Sequence, residues 1–226
     1  VIVPATTFLA TANAVRMCGA EVIYADVDPE HGLMGPLHFK QAIEGRSGQI
    51  KAVVPVHLAG QVDDLSTIAQ IAGTHGITVI EDACHALGSF DQENNPVGSC
   101  AHSLASCFSF HPVKAIAMGE GGAVTTNSDA LATRLKELRH HGMHKDEQRF
   151  LNGHDGPWYY EMSELGFNYR ANDIQCALGR SQLKKLDHFR HKRQMLFSRY
   201  AALLAPLNPH ITLIKQTPSK PCWHLA

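Results

Sequence analysis

A lysine and an aspartate, each just past a run of strand-like sequence, are the residues best equipped for chemistry. Lys114 lies in FSFHPVKAIAMGEGG (residues 108–122) and is the one lysine of a largely apolar stretch that closes on glycines. Residues 108–110 read as the end of a buried strand and residues 119–122 as a tight turn. Burial without a partner lowers a lysine pKa and favours the neutral amine. A neutral amine forms Schiff bases with carbonyl compounds. A solvated lysine on a surface loop is the plainer alternative. Asp82 closes ITVIEDAC (residues 77–84), the most apolar strand-like run at the same predicted edge. It could equally cap the segment that follows. Ligands of open α/β sheets collect beyond the carboxyl ends of the strands, and there an acid and a lone lysine have a joint use. Pyridoxal phosphate is held as a Schiff base by a lysine while an acid bonds its pyridine nitrogen. The acid keeps that nitrogen protonated, so the ring accepts the electrons left when a Cα proton departs.

These residues need a scaffold of alternating strands and helices. Apolar runs of strand length alternate with segments of helical period, which predicts an α/β domain with a mostly parallel sheet flanked by helices. The predicted strands are residues 1–3, 21–28, 51–57 and 77–84, with two more around the lysine loop. A helix is expected over residues 6–17, closed by Gly19, and another starts near Pro36. Asp63 or Asp64 caps a third and Ser128 a fourth. Residues 142–168 have little periodicity and read as a long functional loop. A helix is expected from about Asn172 through Phe189, then another after Lys192 to about Leu204, then a strand at HITLIK.

Composition narrows the function. The 226 residues are 44% hydrophobic and 18% charged with a net charge of −1, which gives no general reason for nucleic-acid binding. No apolar run approaches the ~20 residues that span a bilayer, so no membrane association is expected. The six cysteines (Cys18, Cys84, Cys100, Cys107, Cys176, Cys222) form no C-x-x-C pair and read as free, buried thiols of a cytoplasmic protein. Among fifteen histidines, His140 and His144 share i,i+4 spacing but lack an intervening glutamate and a third ligand, so no metal site is expected. The chain starts in a strand-like VIVP and stops at PCWHLA, as if cut from a longer protein.

EDACHALGS, SFHPVK followed by GEGGAVTTN, and GFNYRANDIQCALGRSQLKKLD resemble, in order, the DegT/DnrJ/EryC1/StrS family of pyridoxal-phosphate sugar aminotransferases. The likeness runs from VIVPATTFLATANAV to WHL. SFHPVK and YEMSELGFNYR look most like the branch that aminates a UDP-linked 4-keto-6-deoxy-N-acetylhexosamine on the route to pseudaminic acid.

The resemblance implies a type I aminotransferase-like fold. Residues 1–190 would be the large cofactor-binding domain and residues 191–226 the start of a small C-terminal domain. It implies Lys114 as the Schiff-base lysine and Asp82 as the pyridinium partner. His85 matches a position touching the ring or its phenolic oxygen, where the family often has glutamine. Ser109 matches a phosphate ligand and Phe8 the residue stacked on the ring. Asn168 matches a residue reaching the phosphate of the partner subunit's cofactor, which implies a homodimer with shared sites. Trp158, Tyr159, Tyr160 and Met162 would belong to its interface. Gly119, Gly121 and Gly122 are expected where a side chain would crowd the cofactor or need positive φ. The implied reaction moves an amino group, with glutamate the expected donor, to a nucleotide-linked keto sugar. Same-fold dehydratases carry histidine at the lysine position. The rival readings are such a dehydratase, a lyase, or a non-catalytic dimerising module. A Gly-Thr turn that helps hold the phosphate in the family would lie before Val1.

Overall fold

The computed structural model describes residues 1–46, 48–153 and 155–225. Residue 154 of the predicted loop and residue 226 of the predicted C-terminal segment therefore lie outside the described residues. The main sheet has six strands: β1 (Ile2–Pro4), β2 (Ile23–Ala25), β3 (Ala52–Val53), β4 (Thr78–Asp82), β5 (Ala105–Ser109) and β6 (Gly122–Thr125). Their spatial order is β2-β1-β3-β4-β5-β6. The first five strands are parallel, and β6 closes the edge antiparallel to β5. This is the α/β architecture with a mostly parallel sheet that the alternating pattern predicts.

Prolines account for the shortest strands. Pro4 ends β1, and Pro55 interrupts the segment expected as strand over residues 51–57, because proline has no N–H to give a ladder. Pairing resumes beyond it at Val56, which bridges to Asp82, while the Pro55 carbonyl accepts from the Asp82 N–H at 2.9 Å. The strand end that carries Asp82 is thus tied to this segment on one side and to Cys107 of β5 on the other.

Six helices follow: α1 (Leu9–Met17), α2 (Pro36–Ile43), α3 (Leu65–Thr74), α4 (Asp129–Leu138), α5 (Asp173–Leu183) and α6 (Leu186–Leu204). Asp64 caps α3, accepting from the Thr67 N–H at 3.0 Å, and Ser128 caps α4. The start of α1 falls at Leu9 instead of residue 6, since Phe8 is extended (φ −74°, ψ 140°). The C-terminal helices break at Lys184–Lys185 and not at Lys192. Asp187 then falls in the first turn of α6, where the helix dipole favours an acid.

Within the predicted 142–168 loop, β7 (Met143–His144) pairs with β8 (Glu161–Met162) as a small antiparallel ribbon. The strand expected at HITLIK does not form; a 3-10 turn (Ala205–Leu207) and irregular chain occupy that region. Cys18 and Cys176 are exposed, contrary to the expectation of buried thiols, whereas Cys100 and Cys222 are buried. No helix among the described residues is long and apolar enough to cross a membrane.

The core lies where α2 and α3 cover the sheet. Phe39, Ala42, Ile68 and Ile71 from these helices pack with Ile2, Val53 and Val79 from the strands. Burial of such side chains contributes about 1.5–3 kcal/mol each. A smaller cluster joins Ala83 and Ala86, just past the end of β4, to Phe108 of β5. Phe110, at the start of the lysine loop, packs against this cluster.

Candidate active site

Asp82 is the last residue of β4 and aligns with Cys107 on parallel β5. Two further residues along β5 lies Ser109, and the lysine loop begins there. The sheet therefore delivers both to one carboxyl edge, as expected for ligand sites of open α/β sheets. The Asp82 carboxylate is fixed from two directions. Thr11 Oγ1 on α1 donates to Oδ2 at 2.7 Å, and the Cys84 N–H donates to Oδ1 at 3.1 Å. Thr7 Oγ1 lies 2.8 Å from Thr11 Oγ1 and extends the chain of hydroxyls. An ionised carboxylate offers about four lone-pair sites, so Asp82 keeps acceptor capacity for a ligand.

Lys114 closes a turn, its N–H donating to the His111 carbonyl at 2.9 Å. It is half-buried, followed by buried Ala115 and Ile116. Its ammonium and the Asp82 carboxylate both act on Cys84 and His85. Burial, then Asp82, pushes the Cys84 thiol far above its ordinary range, with Lys114 opposing. Burial, then Lys114, pushes His85 down to about 4, with Asp82 opposing. The short turn carrying Cys84 and His85 is therefore flanked by the two charges. Burial, then Asp82, raises Cys107 on the neighbouring strand to about 11. Both thiols stay protonated near neutrality, so neither competes with the lysine as a nucleophile.

The glycines after the lysine serve the protein's own backbone. Gly119 has φ +83°, which glycine adopts without penalty, whereas a Cβ on Gly122 would lie 2.7 Å from the Phe108 carbonyl oxygen and one on Gly121 2.6 Å from the Met118 sulfur. The crowding relieved at Gly121 and Gly122 is with β5 and Met118, and no cofactor is needed to explain it.

Phe8 caps α1 one turn before Thr11, and its side chain is 66% exposed. Ser109 Oγ accepts from the His111 N–H at 3.3 Å, and its own hydroxyl proton remains available. Asn168 lies elsewhere. The strand-like segment around it pairs with the end of α4, through Phe167 N–H to the Leu138 carbonyl and Tyr169 N–H to the Arg139 carbonyl. Its Oδ1 accepts from Arg170 Nε at 3.0 Å and Nη2 at 2.7 Å. No hydrogen bond among the described residues joins Asn168 to Asp82, Ser109 or Lys114 of the same chain. The structure thus gathers Asp82, His85, Ser109 and Lys114 at one edge and sets Asn168 apart.

Thr11 is a participant that sequence reasoning passed over. It shares the buried side of α1 with Val15; a hydroxyl at i on an apolar face with its partner at i+4 is the signal that was available. Beneath the edge, a second polar group is wholly buried. His57 Nε2 meets Glu81 Oε2 at 2.7 Å, both side chains being 3% exposed. Ser103 and Ser106 donate to the other Glu81 oxygen. Burial alone would raise the Glu81 pKa, but the His57, Ser103 and Ser106 hydrogen bonds outweigh it and hold the carboxyl below its ordinary value. With all partners supplied, this network orders the strand end without exposing a charge.

The donor set suits pyridoxal phosphate: a fixed carboxylate with spare lone pairs, an amine across the same turn, a hydroxyl at the next strand end and an exposed aromatic ring. Comparison with known proteins agrees. The model of the DegT/DnrJ/EryC1/StrS aminotransferase family matches residues 1–226. The spore coat polysaccharide biosynthesis protein SpsC of Bacillus subtilis is 36% identical over 225 residues, covering 100% of this chain and 56% of the relative. The UDP-4-amino-4,6-dideoxy-N-acetyl-beta-L-altrosamine transaminase of Campylobacter jejuni (strain 81-176) is 40% identical over 194 residues, covering 86% and 48%. Among solved structures, Helicobacter pylori PseC, an aminotransferase involved in the biosynthesis of pseudoaminic acid, superposes with a TM-score of 0.81 at 32% identity, covering 99% of this chain and 56% of PseC. The chain spans about half the length of these relatives.

Proposed function

Because the chain belongs to the DegT/DnrJ/EryC1/StrS aminotransferase family, we propose that it forms the cofactor-holding part of a pyridoxal-phosphate-dependent sugar aminotransferase. Likeness to the Campylobacter UDP-4-amino-4,6-dideoxy-sugar transaminase and to Helicobacter PseC supports a nucleotide-linked 4-keto-6-deoxy sugar as amino acceptor, and glutamate is the proposed donor. When bound, pyridoxal phosphate supplies a carbonyl carbon for amine exchange and a ring that takes up the electron pair of a broken C–H bond.

The chain's own residues supply position and proton control. Asp82, held by Thr11 and the Cys84 amide, would keep a proton on the ring nitrogen. Lys114 Nζ would hold the cofactor and serve as the base that moves a proton. Ser109 would donate to the phosphate and Phe8 would lie against the ring. His85, between the two charges, would donate to the phenolic oxygen. Asn168 reaches the phosphate in a second copy of the chain, so the assembly is a homodimer with shared sites. Residues 1–190 form the large domain and residues 191–226 lead into the small one. A reducing cytoplasm suits the free thiols.

The observation that carries this reading is the doubly anchored Asp82 carboxylate across the Cys84–His85 turn from Lys114. The test is borohydride reduction of the protein mixed with pyridoxal phosphate, followed by peptide mapping. The cofactor is expected on the peptide containing Lys114 and lost in Lys114→Ala. A label found mainly on Lys51 or Lys136 would overturn the assignment.

A further inference from the structure

Residues 215–224 return from the C-terminal helices as a strap across the sheet end. The Lys215 N–H donates to the Glu30 carbonyl, and the Cys222 N–H to Ser89 Oγ at 2.8 Å. Arg193 Nη1 on α6 donates to the Trp223 carbonyl at 3.1 Å and the His224 carbonyl at 3.3 Å. The Trp223 ring stacks on Phe197 with centroids 3.6 Å apart, and the His224 N–H donates to the Ala59 carbonyl at 2.9 Å. The strap passes so close to Gly60 (φ +92°) that a Cβ there would lie 2.4 Å from the Cys222 carbonyl oxygen and 3.1 Å from that of His85. Three distant segments converge at this one glycine.

The end of the strap lays the His224 ring against His85, with centroids 4.3 Å apart and planes tilted by 39°. In both rings Nδ1 is buried without a hydrogen-bond partner among the described residues. A buried nitrogen without a partner costs its desolvation, and an orphaned N–H donor is the rarer case in folded proteins. A neutral imidazole has one N–H and one bare nitrogen, so the proton belongs on Nε2 in each ring. Protonating Nδ1 as well would strand a donor and put a cation beside the other ring and near Lys114.

We infer that His224 is a positioning residue for His85: its ring seals Nδ1 and fixes His85 as the neutral Nε2–H form, leaving that N–H for a bound acceptor. Resting on the proposed function, the acceptor is the phenolic oxygen of pyridoxal phosphate. A neutral donor there leaves the charge of the site to Asp82 and Lys114. The groups acting on the pair favour the same state. Burial and Lys114 lower His85 to about 4 against Asp82. Burial, His85, Lys114 and Arg193 lower His224 to about 4.

The test follows the His85 imidazole by nitrogen NMR in the cofactor-free protein, assigned with His85→Gln. In the unaltered protein the Nε2–H form should persist until the pH falls to about 4. His224→Ala admits water to Nδ1 and should move the midpoint up toward the ordinary 6.5. His224→Phe restores an apolar ring and should hold it near 4. An Nδ1–H form in the unaltered protein overturns the inference without any variant, so a misfolded alanine variant does not leave it untested. It also falls if His224→Ala leaves the midpoint unmoved, or if His224→Phe raises it as much as alanine does. With pyridoxal phosphate added, His224→Ala but not His224→Phe should shift the pH midpoint of the cofactor's visible absorption. Failure of the unaltered protein to bind the cofactor would count against the proposed function, while the imidazole titration would still decide the role of His224.

Discussion

The two halves of the molecule are covered very differently. Helices α2 and α3 bury Phe39, Ile68 and Ile71 against the strands. Helices α4 and α6 contain no buried residue, and α5 has only Gly179. Apolar side chains stand out around α5, with Leu165 at 87% and Ile174 at 82% exposure. Asp82 ends a strand of the half that holds the buried core, where Thr11 and the Cys84 amide of the same chain fix it. Asn168 rests on the open half, whose apolar surface calls for a cover. In the homodimer we propose, that cover is the second subunit.

The largest expected effect breaks the closed half. Phe39→Ala empties a fully buried ring position and should cost about 3–5 kcal/mol in denaturant unfolding; a loss below about 1 kcal/mol would mean that α2 does not anchor the sheet. Next, Asp82→Asn keeps the size of the side chain but removes the charge that, in the role proposed above, would hold a proton on the cofactor ring. Turnover should fall by about a hundredfold to a thousandfold, as for other fixed electrostatic groups, with the circular dichroism spectrum unchanged; full activity would remove Asp82 from its role. The smallest effect on stability concerns the open half. Ile174 and Leu178 share one face of α5 at i,i+4, and changing both to serine should leave the unfolding midpoint where it is once both proteins are compared as dissociated chains at low concentration. Sedimentation should then show dimer passing to monomer. A drop in stability comparable with Phe39→Ala would instead make that face part of the chain's own core.

The two halves also differ in how far local sequence reveals them. The run ITVIEDAC yields β4 with Asp82 at its end because strand length, apolarity and the terminal acid are all local signals. The caps Asp64 and Ser128 are legible for the same reason: each bonds an N–H three residues on. The Lys184–Lys185 break was hidden, since no glycine or proline marks it. Thr11 left a faint trace as a hydroxyl on an apolar helix face. The strap left none, and HITLIK could pass for a strand, because its neighbours Glu30, Ala59 and Ser89 lie far back in the chain. Only family resemblance marks Asn168, since within one chain its side chain turns to Arg170.

The crossing at Gly60 also sets an order of events during synthesis. Chains emerge from the ribosome N-terminus first, and early segments begin to fold before later ones exist. Residues 1–125 hold all six strands of the main sheet, so the edge bearing Asp82 and Lys114 can assemble while α4 is still being made. Sealing of His85 must wait for residues 215–224 to thread past a backbone position that has no room for a side chain. Closing so long a loop is entropically slow compared with pairing neighbouring strands. The newborn protein therefore passes through an interval with its chemical groups in place but His85 still wet, until the strap arrives.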